Sequence, residues 1–354
     1  MKHTSLLAST INAFEAGLCP FWWGPPGSGK TELMRQLAAR VGRKVLILDL
    51  PMIYDPVDTR GIPFLVNGKT VWMPPDYICT NGEPTIIFCD DLPTAPETSQ
   101  ANLFSLILDN RLGGHDLGPN VWRCGAGNRS GDHAATHSMP SPLSTRFAPH
   151  FSLSIDLDDV TNYWFSAGVR REVIGFARFK STLLYPMYND NTEQEQECGL
   201  CGKKIPPGAL CGQCARAHRT FPTLRTWTFV SHLLNSNPDP ACEYEMYAGT
   251  VGQQAAMEFM GYLKMWRQLP SMDALLLSPL SAPIPEEPSV LYSVARELGH
   301  RANKDNIDAV VTYANRMPPE FAVLTMRDAS LKGRDVTETQ SFIGWCAANN
   351  NVVL

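Results

Sequence analysis

Gly24-Pro25-Pro26-Gly27-Ser28-Gly29-Lys30-Thr31 stands between an apolar run over 19–23 and a helix-like stretch over 32–41. Glycine, four residues, then Gly-Lys-Thr in that setting is the pattern of a phosphate-binding loop. A strand delivers such a loop, and its glycines let backbone N–H groups close around phosphate oxygens. The helix N-terminus adds further donors and a partial positive charge. In such a loop Lys30 reaches the β- and γ-phosphates and Thr31 places its hydroxyl on Mg²⁺. The stretch predicts a site for a nucleoside triphosphate such as ATP, carried by the parallel sheet of an α/β fold.

The surrounding sequence has the matching rhythm. Apolar runs at 19–23, 45–48, 85–89, 121–126 and 150–155 alternate with helical patterns, notably 30–41 and 99–108. That alternation argues for a parallel sheet covered on both faces. Two stretches interrupt it: a hairpin expected over 64–72, turning at Asn67-Gly68, and a short second one over 111–121. Beyond residue 156 the texture is helical, over 158–168, 170–180, 224–235, 243–269, 290–298 and 302–316, with a Pro-rich connector over 278–288.

Further along lie residue types that phosphate chemistry needs. Thr85-Ile-Ile-Phe-Cys-Asp90-Asp91 reads as a buried strand ending in two acids. The first, Asp90, suits the water shell of Mg²⁺, and the second, Asp91, suits orienting or deprotonating an attacking water. Val121-Trp-Arg-Cys-Gly-Ala-Gly-Asn128 is another such run, putting Asn128 at the sheet's carboxyl edge, where its amide can hold that water. Arg146 precedes the last strand and can point outward at the nucleotide of a neighbouring subunit; Arg225 opens a later helix and can fold back on the γ-phosphate.

Ten cysteines divide into two groups. Cys19, Cys89 and Cys124 fall in expected buried strands, and Cys79, Cys242 and Cys346 are scattered. Cys198-Gly-Leu-Cys201 and Cys211-Gly-Gln-Cys214 form two C-x-x-C pairs inside a polar insert over 189–218. Four thiolates at this spacing suit a closed tetrahedral Zn²⁺ site, whose metal supplies folding energy that so short a segment cannot. His218 is a spare nitrogen, while His133 and His137 read as a solvated loop.

The bulk properties narrow the classes. The chain has 354 residues, 44% of them hydrophobic, and a net charge of −5. Nothing draws it as a whole to DNA or anionic lipid, so nucleic acid is a disfavoured partner. No apolar run approaches the ~18 residues of a membrane span, and Met1-Lys-His-Thr-Ser5 opens no signal peptide. With the cysteine pattern, this leads us to expect a soluble, cytoplasmic protein.

Taken together, the motifs resemble the AAA+ ATPases of the MoxR branch, a dynein-related group often paired with von Willebrand A proteins. The resemblance rests on 24–31 and on Asp55-Pro-Val-Asp-Thr-Arg-Gly-Ile-Pro63, which is similar to the family's Asp-Pro-x-Asp-Leu-Arg-Gly-x-Pro. It rests also on Asp90-Asp-Leu-Pro-Thr-Ala-Pro96, Ala126-Gly-Asn-Arg129, Leu143-Ser-Thr-Arg-Phe147, Thr223-Leu-Arg-Thr-Trp227 and Tyr313-Ala-Asn-Arg-Met-Pro-Pro-Glu-Phe321. It covers nearly all of the chain outside the Cys-rich insert. It implies an AAA+ core over 1–156 and a helical lid region over 157–354 that bears the insert.

Carried over residue by residue, the resemblance makes Asp90 the Walker B acid, Asn128 sensor 1, Arg146 the arginine finger and Arg225 the sensor 2 arginine. The two hairpins match insertions that ring the pore of related hexamers. The expected protein is a Mg²⁺-dependent ATPase working as a homo-oligomeric ring, a hexamer, that remodels a partner protein, often of the von Willebrand A type. Two departures matter: Asp91 stands where the family has Glu, and Pro93 where it has Asn. A carboxylate one methylene shorter supports a rival expectation, an ATP-binding scaffold or switch with slow hydrolysis. A third is a motor stimulated by nucleic acid.

Overall fold

A computed structural model describes residues 1–50, 57–58, 61–75, 82–101, 103–112, 115–129, 139–186, 194–206, 211–217, 220–267 and 271–349. His133, His137 and His218 lie outside the described residues, as do parts of the 55–63 run. The chain divides into two compact units, one formed by Met1–Val160 with Tyr185–Trp227, the other by Thr161–Leu184 with Thr228–Leu354. The insert thus groups with the sheet-bearing unit, whereas the sequence division runs at residue 156 and leaves it among the helices.

The first unit is built on strands β1 (Phe21–Trp23), β2 (Lys44–Asp49), β5 (Thr85–Asp90), β8 (Val121–Gly127) and β9 (His150–Ser152). They form one sheet in the order β2-β5-β8-β1-β9, with every pairing parallel. Parallel sheets are covered on both faces, and the period-2 alternation of the strands shows it. Phe21, Ile87 and Cys89 face one apolar cluster with Leu103, Leu106, Leu143 and Phe147. Trp22, Ile86, Phe88 and Cys124 face the other with Leu33, Met34 and Leu37. Cys19, Cys89 and Cys124 are buried thiols, and burial pushes each one's pKa up.

Helix α1 (His3–Glu15), absent from the sequence expectation, lies on the second cluster through Leu6, Leu7 and Phe14. Its buried Thr10 accepts a hydrogen bond from Trp22 Nε1 at 2.9 Å. The expected helix over 99–108 is two, Glu97–Ala101 and Phe104–Asp109.

Both expected hairpins form. Strands β3 (Ile62–Val66) and β4 (Lys69–Met73) pair antiparallel around Asn67 (φ 52°) and Gly68 (φ 75°), the two left-handed residues of a type I′ turn. Strands β6 (Arg111–Leu112) and β7 (His115–Asp116) make the shorter one.

The second unit is helical. Arg171–Phe179 and Gln253–Trp266 share an aromatic cluster of Phe176, Phe259 and Tyr262, which Tyr247 of Glu243–Val251 joins. The helix expected over 243–269 breaks at Gly252, whose φ of 86° ends one helix and caps the next. Pro288–Arg301, Ile307–Ala314 and Pro319–Ser330 follow, the first and last opening on proline at their first turn. No described helix is long and apolar enough to cross a membrane.

Candidate functional site

Three adjacent strands bring the site together. Because β5, β8 and β1 run parallel, Asp90, the turn after Gly127 and the loop after Trp23 all emerge at one carboxyl edge, where open α/β sheets bind ligands. Gly24 N–H bonds Gly127 O at 3.2 Å, tying the loop to β8. Gly29, with φ 90°, caps helix α2 (Lys30–Arg40) in a left-handed conformation that side chains resist.

Lys30 is only 7% exposed. Its Nζ donates to Gly24 O at 2.9 Å, Pro25 O at 3.2 Å and Asn128 Oδ1 at 2.8 Å. Ser28 is buried, and its Oγ has no hydrogen-bond partner among the described residues. An unsatisfied buried hydroxyl costs about 1–3 kcal/mol. In a loop with an ammonium group and left-handed glycines, it fits an anionic ligand that brings its own acceptor.

The two acids take different settings. Thr31 Oγ1 donates to Asp90 Oδ2 at 2.5 Å. Burial pushes the Asp90 carboxyl above its ordinary value; Thr31 and Lys30 pull it back, and Asp91 adds to the rise. A hydroxyl beside a part-buried carboxylate at the first turn of α2 is a donor set that could hold a divalent cation. Asp91 adopts φ 48° and ψ 36°, a left-handed non-glycine conformation, and caps the short turn Leu92–Thr94. Its Oδ1 accepts from Asn128 Nδ2 at 3.4 Å. Asn128 therefore links the ammonium group of Lys30 to the second acid, a role that follows from β8 lying between β1 and β5.

Pro93 has a structural counterpart in Gly127. A Cβ added at Gly127 would stand 2.1 Å from Pro93 Cδ, so only glycine lets the proline ring close on the end of β8, next to Asn128.

The two arginines come from other elements: Arg146 follows the short helix Ser141–Ser144, and Arg225 lies in Leu224–Asn235. Arg146 Nη1 donates to Pro142 O at 2.6 Å and its guanidinium lies 4.8 Å from the Phe104 ring centroid. Those are its partners among the described residues, and neither belongs to the phosphate loop. Arg225 is exposed in the first turn of Leu224–Asn235. That helix starts on a reciprocal cap: Thr223 Oγ1 accepts from Thr226 N at 3.1 Å, and Thr226 Oγ1 from Thr223 N at 2.8 Å.

Sequence reasoning missed two neighbours of the loop. The Tyr185 hydroxyl donates to Pro26 O. A Cβ on Gly27 would stand 3.0 Å from Thr223 Cβ and Oγ1, so Thr223 abuts the loop directly. Thr223 lies within the motif that supplies Arg225; Tyr185 carries no local signal.

The four cysteines of the insert do converge. Strands β10 (Gln196–Glu197) and β11 (Lys204–Ile205) pair antiparallel on either side of the first pair; Gly212–Ala217 carries Cys214. All four sulfurs lie within 4.8 Å of one another, with Cys198–Cys214 and Cys201–Cys211 at 3.7 Å. Burial pushes the Cys198 and Cys214 thiols up, while the Lys203 backbone N–H holds Cys201 down. Such a set could hold a metal ion, whose charge would turn all four to thiolates.

Residues 21–123 match the family described as AAA domain (dynein-related subfamily). The match takes in the phosphate loop, Asp90 and Asp91, and ends before Asn128. The α/β fold, with its central parallel sheet, is that of an AAA+ P-loop core. No curated protein sequence matches the chain. Among solved structures, a candidate ATPase of Cytophaga hutchinsonii aligns at 13% identity and a TM-score of 0.36. That alignment covers 52% of this chain and 64% of that one. The RuvB Holliday junction branch migration motor of Thermotoga maritima aligns at 16% identity over 84% of this chain and 80% of that one, with a TM-score of 0.37. Both superpositions are loose.

Proposed function

We propose that this chain is a Mg²⁺-dependent AAA+ ATPase of the MoxR type that works as a homo-oligomeric ring and remodels a partner protein. The convergence of Lys30, Thr31, Asp90, Asp91 and Asn128 at one sheet edge carries the reading. The loop from Gly24 to Gly29 would cradle the phosphates with its N–H groups, and Lys30 would meet the β- and γ-oxygens. Thr31 and Asp90 would hold Mg²⁺, which supplies positive charge at the phosphate oxygens. Asp91 would accept the proton of the attacking water, with Asn128 orienting both.

Arg146 would complete the site of the next subunit, in a hexamer by analogy with the resemblance. Support comes from its own-chain partners among the described residues, Pro142 and Phe104, neither of which belongs to the phosphate loop. Arg225 would meet the γ-phosphate from the first turn of its helix. Exposed Ile62, Phe64 and Leu65 on the β3–β4 hairpin offer apolar surface to a client or a von Willebrand A type partner. Buried free thiols support a reducing, cytoplasmic setting.

Zinc is the metal we assign to the cysteines. Sulfurs about 2.3 Å from one tetrahedral Zn²⁺ stand about 3.8 Å apart, close to the two 3.7 Å pairs.

Subunit complementation tests the ring. Arg146→Ala and Lys30→Ala should each assemble without turnover, and mixing them should restore part of it, because each supplies what the other lacks. A mixture as inactive as its parts, or Arg146→Ala at the wild-type rate, overturns the shared site. A second reading, a slow switch, draws on Asp91: its short carboxylate is fixed in a left-handed backbone and reaches Asn128 only at 3.4 Å.

A further inference from the structure

The four-Cys cluster and the phosphate loop touch through a short path. Tyr185 shares one apolar cluster with Cys198, Ile205, Cys211 and Cys214, with Leu200, Phe221 and Ile155 packed against it. Phe221 stacks on the Tyr185 ring, centroids 6.4 Å apart at 23°. The backbone adds a grip of its own: Gly199 N–H, one residue past Cys198, bonds Pro186 O at 2.9 Å. At the far end of the path the Tyr185 hydroxyl holds Pro26 O, and Thr223, two residues beyond Phe221, abuts Gly27.

We propose that metal binding by Cys198, Cys201, Cys211 and Cys214 sets the shape of the phosphate loop through Tyr185 and Thr223, so that nucleotide affinity depends on the bound metal. The inference rests on the reading of these cysteines as a zinc site and goes beyond it. Tyr185 is a positioning residue. Across the planar trans peptide, holding Pro26 O turns Gly27 N–H the opposite way, away from the tyrosine. Phosphate binding uses such N–H groups, and a loop fixed in advance spends less of its binding energy on ordering.

The metal is what keeps Tyr185 in place. Between residues 194 and 217 the described elements are two two-residue strands and one six-residue helix, Gly212–Ala217. So little structure has no independent stability, and in such segments metal binding is folding energy. Losing the metal would free Tyr185 and Thr223 from Pro26 and Gly27 together. By linkage, nucleotide must strengthen metal binding by the same factor that metal strengthens nucleotide binding.

The test uses the full chain as purified. Metal content is measured by elemental analysis, and affinity for the non-hydrolysed analogue AMPPNP by calorimetry in Mg²⁺ buffer. Both are repeated after stripping with a zinc-selective chelator and again after Zn²⁺ is returned. We expect AMPPNP affinity to fall at least fivefold on stripping and to recover on return. Tyr185→Phe should keep its zinc and its far-UV spectrum yet bind AMPPNP about fivefold more weakly, the factor one lost hydrogen bond of about 1 kcal/mol gives. In competition with the chelator, AMPPNP should raise zinc affinity by the stripping factor. Unchanged AMPPNP affinity after stripping, or Tyr185→Phe within about twofold of wild type, overturns the coupling while leaving the zinc site standing. A purified chain that binds AMPPNP but holds no metal overturns the zinc reading itself, and the coupling with it.

Discussion

Replacing Asn128 with alanine separates the site's catalytic geometry from its loop. Asn128 is 6% exposed, and among the described residues its side chain makes two bonds, Oδ1 to Lys30 Nζ at 2.8 Å and Nδ2 to Asp91 Oδ1 at 3.4 Å. A hydrogen bond to a charged group contributes about 1.5–3 kcal/mol, and the longer bond, near the geometric limit, contributes least. Lys30 keeps Gly24 O and Pro25 O as acceptors, so its ammonium group is not orphaned. The loss should therefore sit at the lower end, about 1.5–2 kcal/mol.

At roughly 2–4 °C per kcal/mol for a unit of this size, Asn128→Ala should melt about 3–8 °C lower. Turnover should fall far more. Removing one positioned donor from a water-excluded site costs about 10²–10³ in kcat. AMPPNP affinity should change less than about fivefold, because Asn128 bonds Lys30 and Asp91 rather than the loop's backbone donors. Phosphate release at saturating ATP, calorimetry and a thermal melt give the three numbers. A kcat within about threefold of wild type would refute the role, most plainly if affinity fell instead, since weaker binding with kcat unchanged is the mark of lost uniform binding.

Three further outcomes follow from particular contacts. Asp91→Glu lengthens the carboxylate by a methylene but puts a poorer residue at φ 48°, costing about 1 kcal/mol; turnover should rise at least about tenfold, and an unchanged rate would remove the case for slow hydrolysis. Gly127→Ala puts a Cβ 2.1 Å from Pro93 Cδ; overpacking should cost about 1–3 kcal/mol and displace Asn128, so a variant with wild-type melt and turnover would contradict the contact. His3 is buried and burial holds its imidazole below 6.5. The unfolded chain takes up a proton near pH 6.5 that the folded one refuses, so stability should fall as pH drops below about 6.5 toward the lowered folded value. His3→Phe should flatten the melt's dependence between pH 7.5 and 5.5; equal slopes would place the cause elsewhere.

The sheet and its loop were legible because their signals are local. The strand expected at 45–48 is Lys44–Asp49, and that at 121–126 is Val121–Gly127. Asn67-Gly68 set its hairpin because the turn needs two left-handed residues. Helix α1 went unread although Leu6, Leu7 and Phe14 have helical spacing. Its stripe is interrupted by Thr10, a polar residue buried to accept from Trp22, a partner that spacing cannot name. The helical pattern runs on through Gly252, because the apolar spacing on either side does not show that its φ of 86° interrupts the helix. The site's five converging groups lay in separate motifs, and the strand order made them neighbours. Tyr185 was illegible for the same reason in stronger form: its partner, Pro26, is 159 residues away.

The central claim is ATP hydrolysis completed between subunits. The most direct test is steady-state Mg²⁺-dependent ATPase activity across a range of protein concentration, run beside the mass in solution with and without ATP. The account predicts that turnover per chain rises in step with assembly. Turnover that is constant per chain while the protein stays monomeric would contradict it.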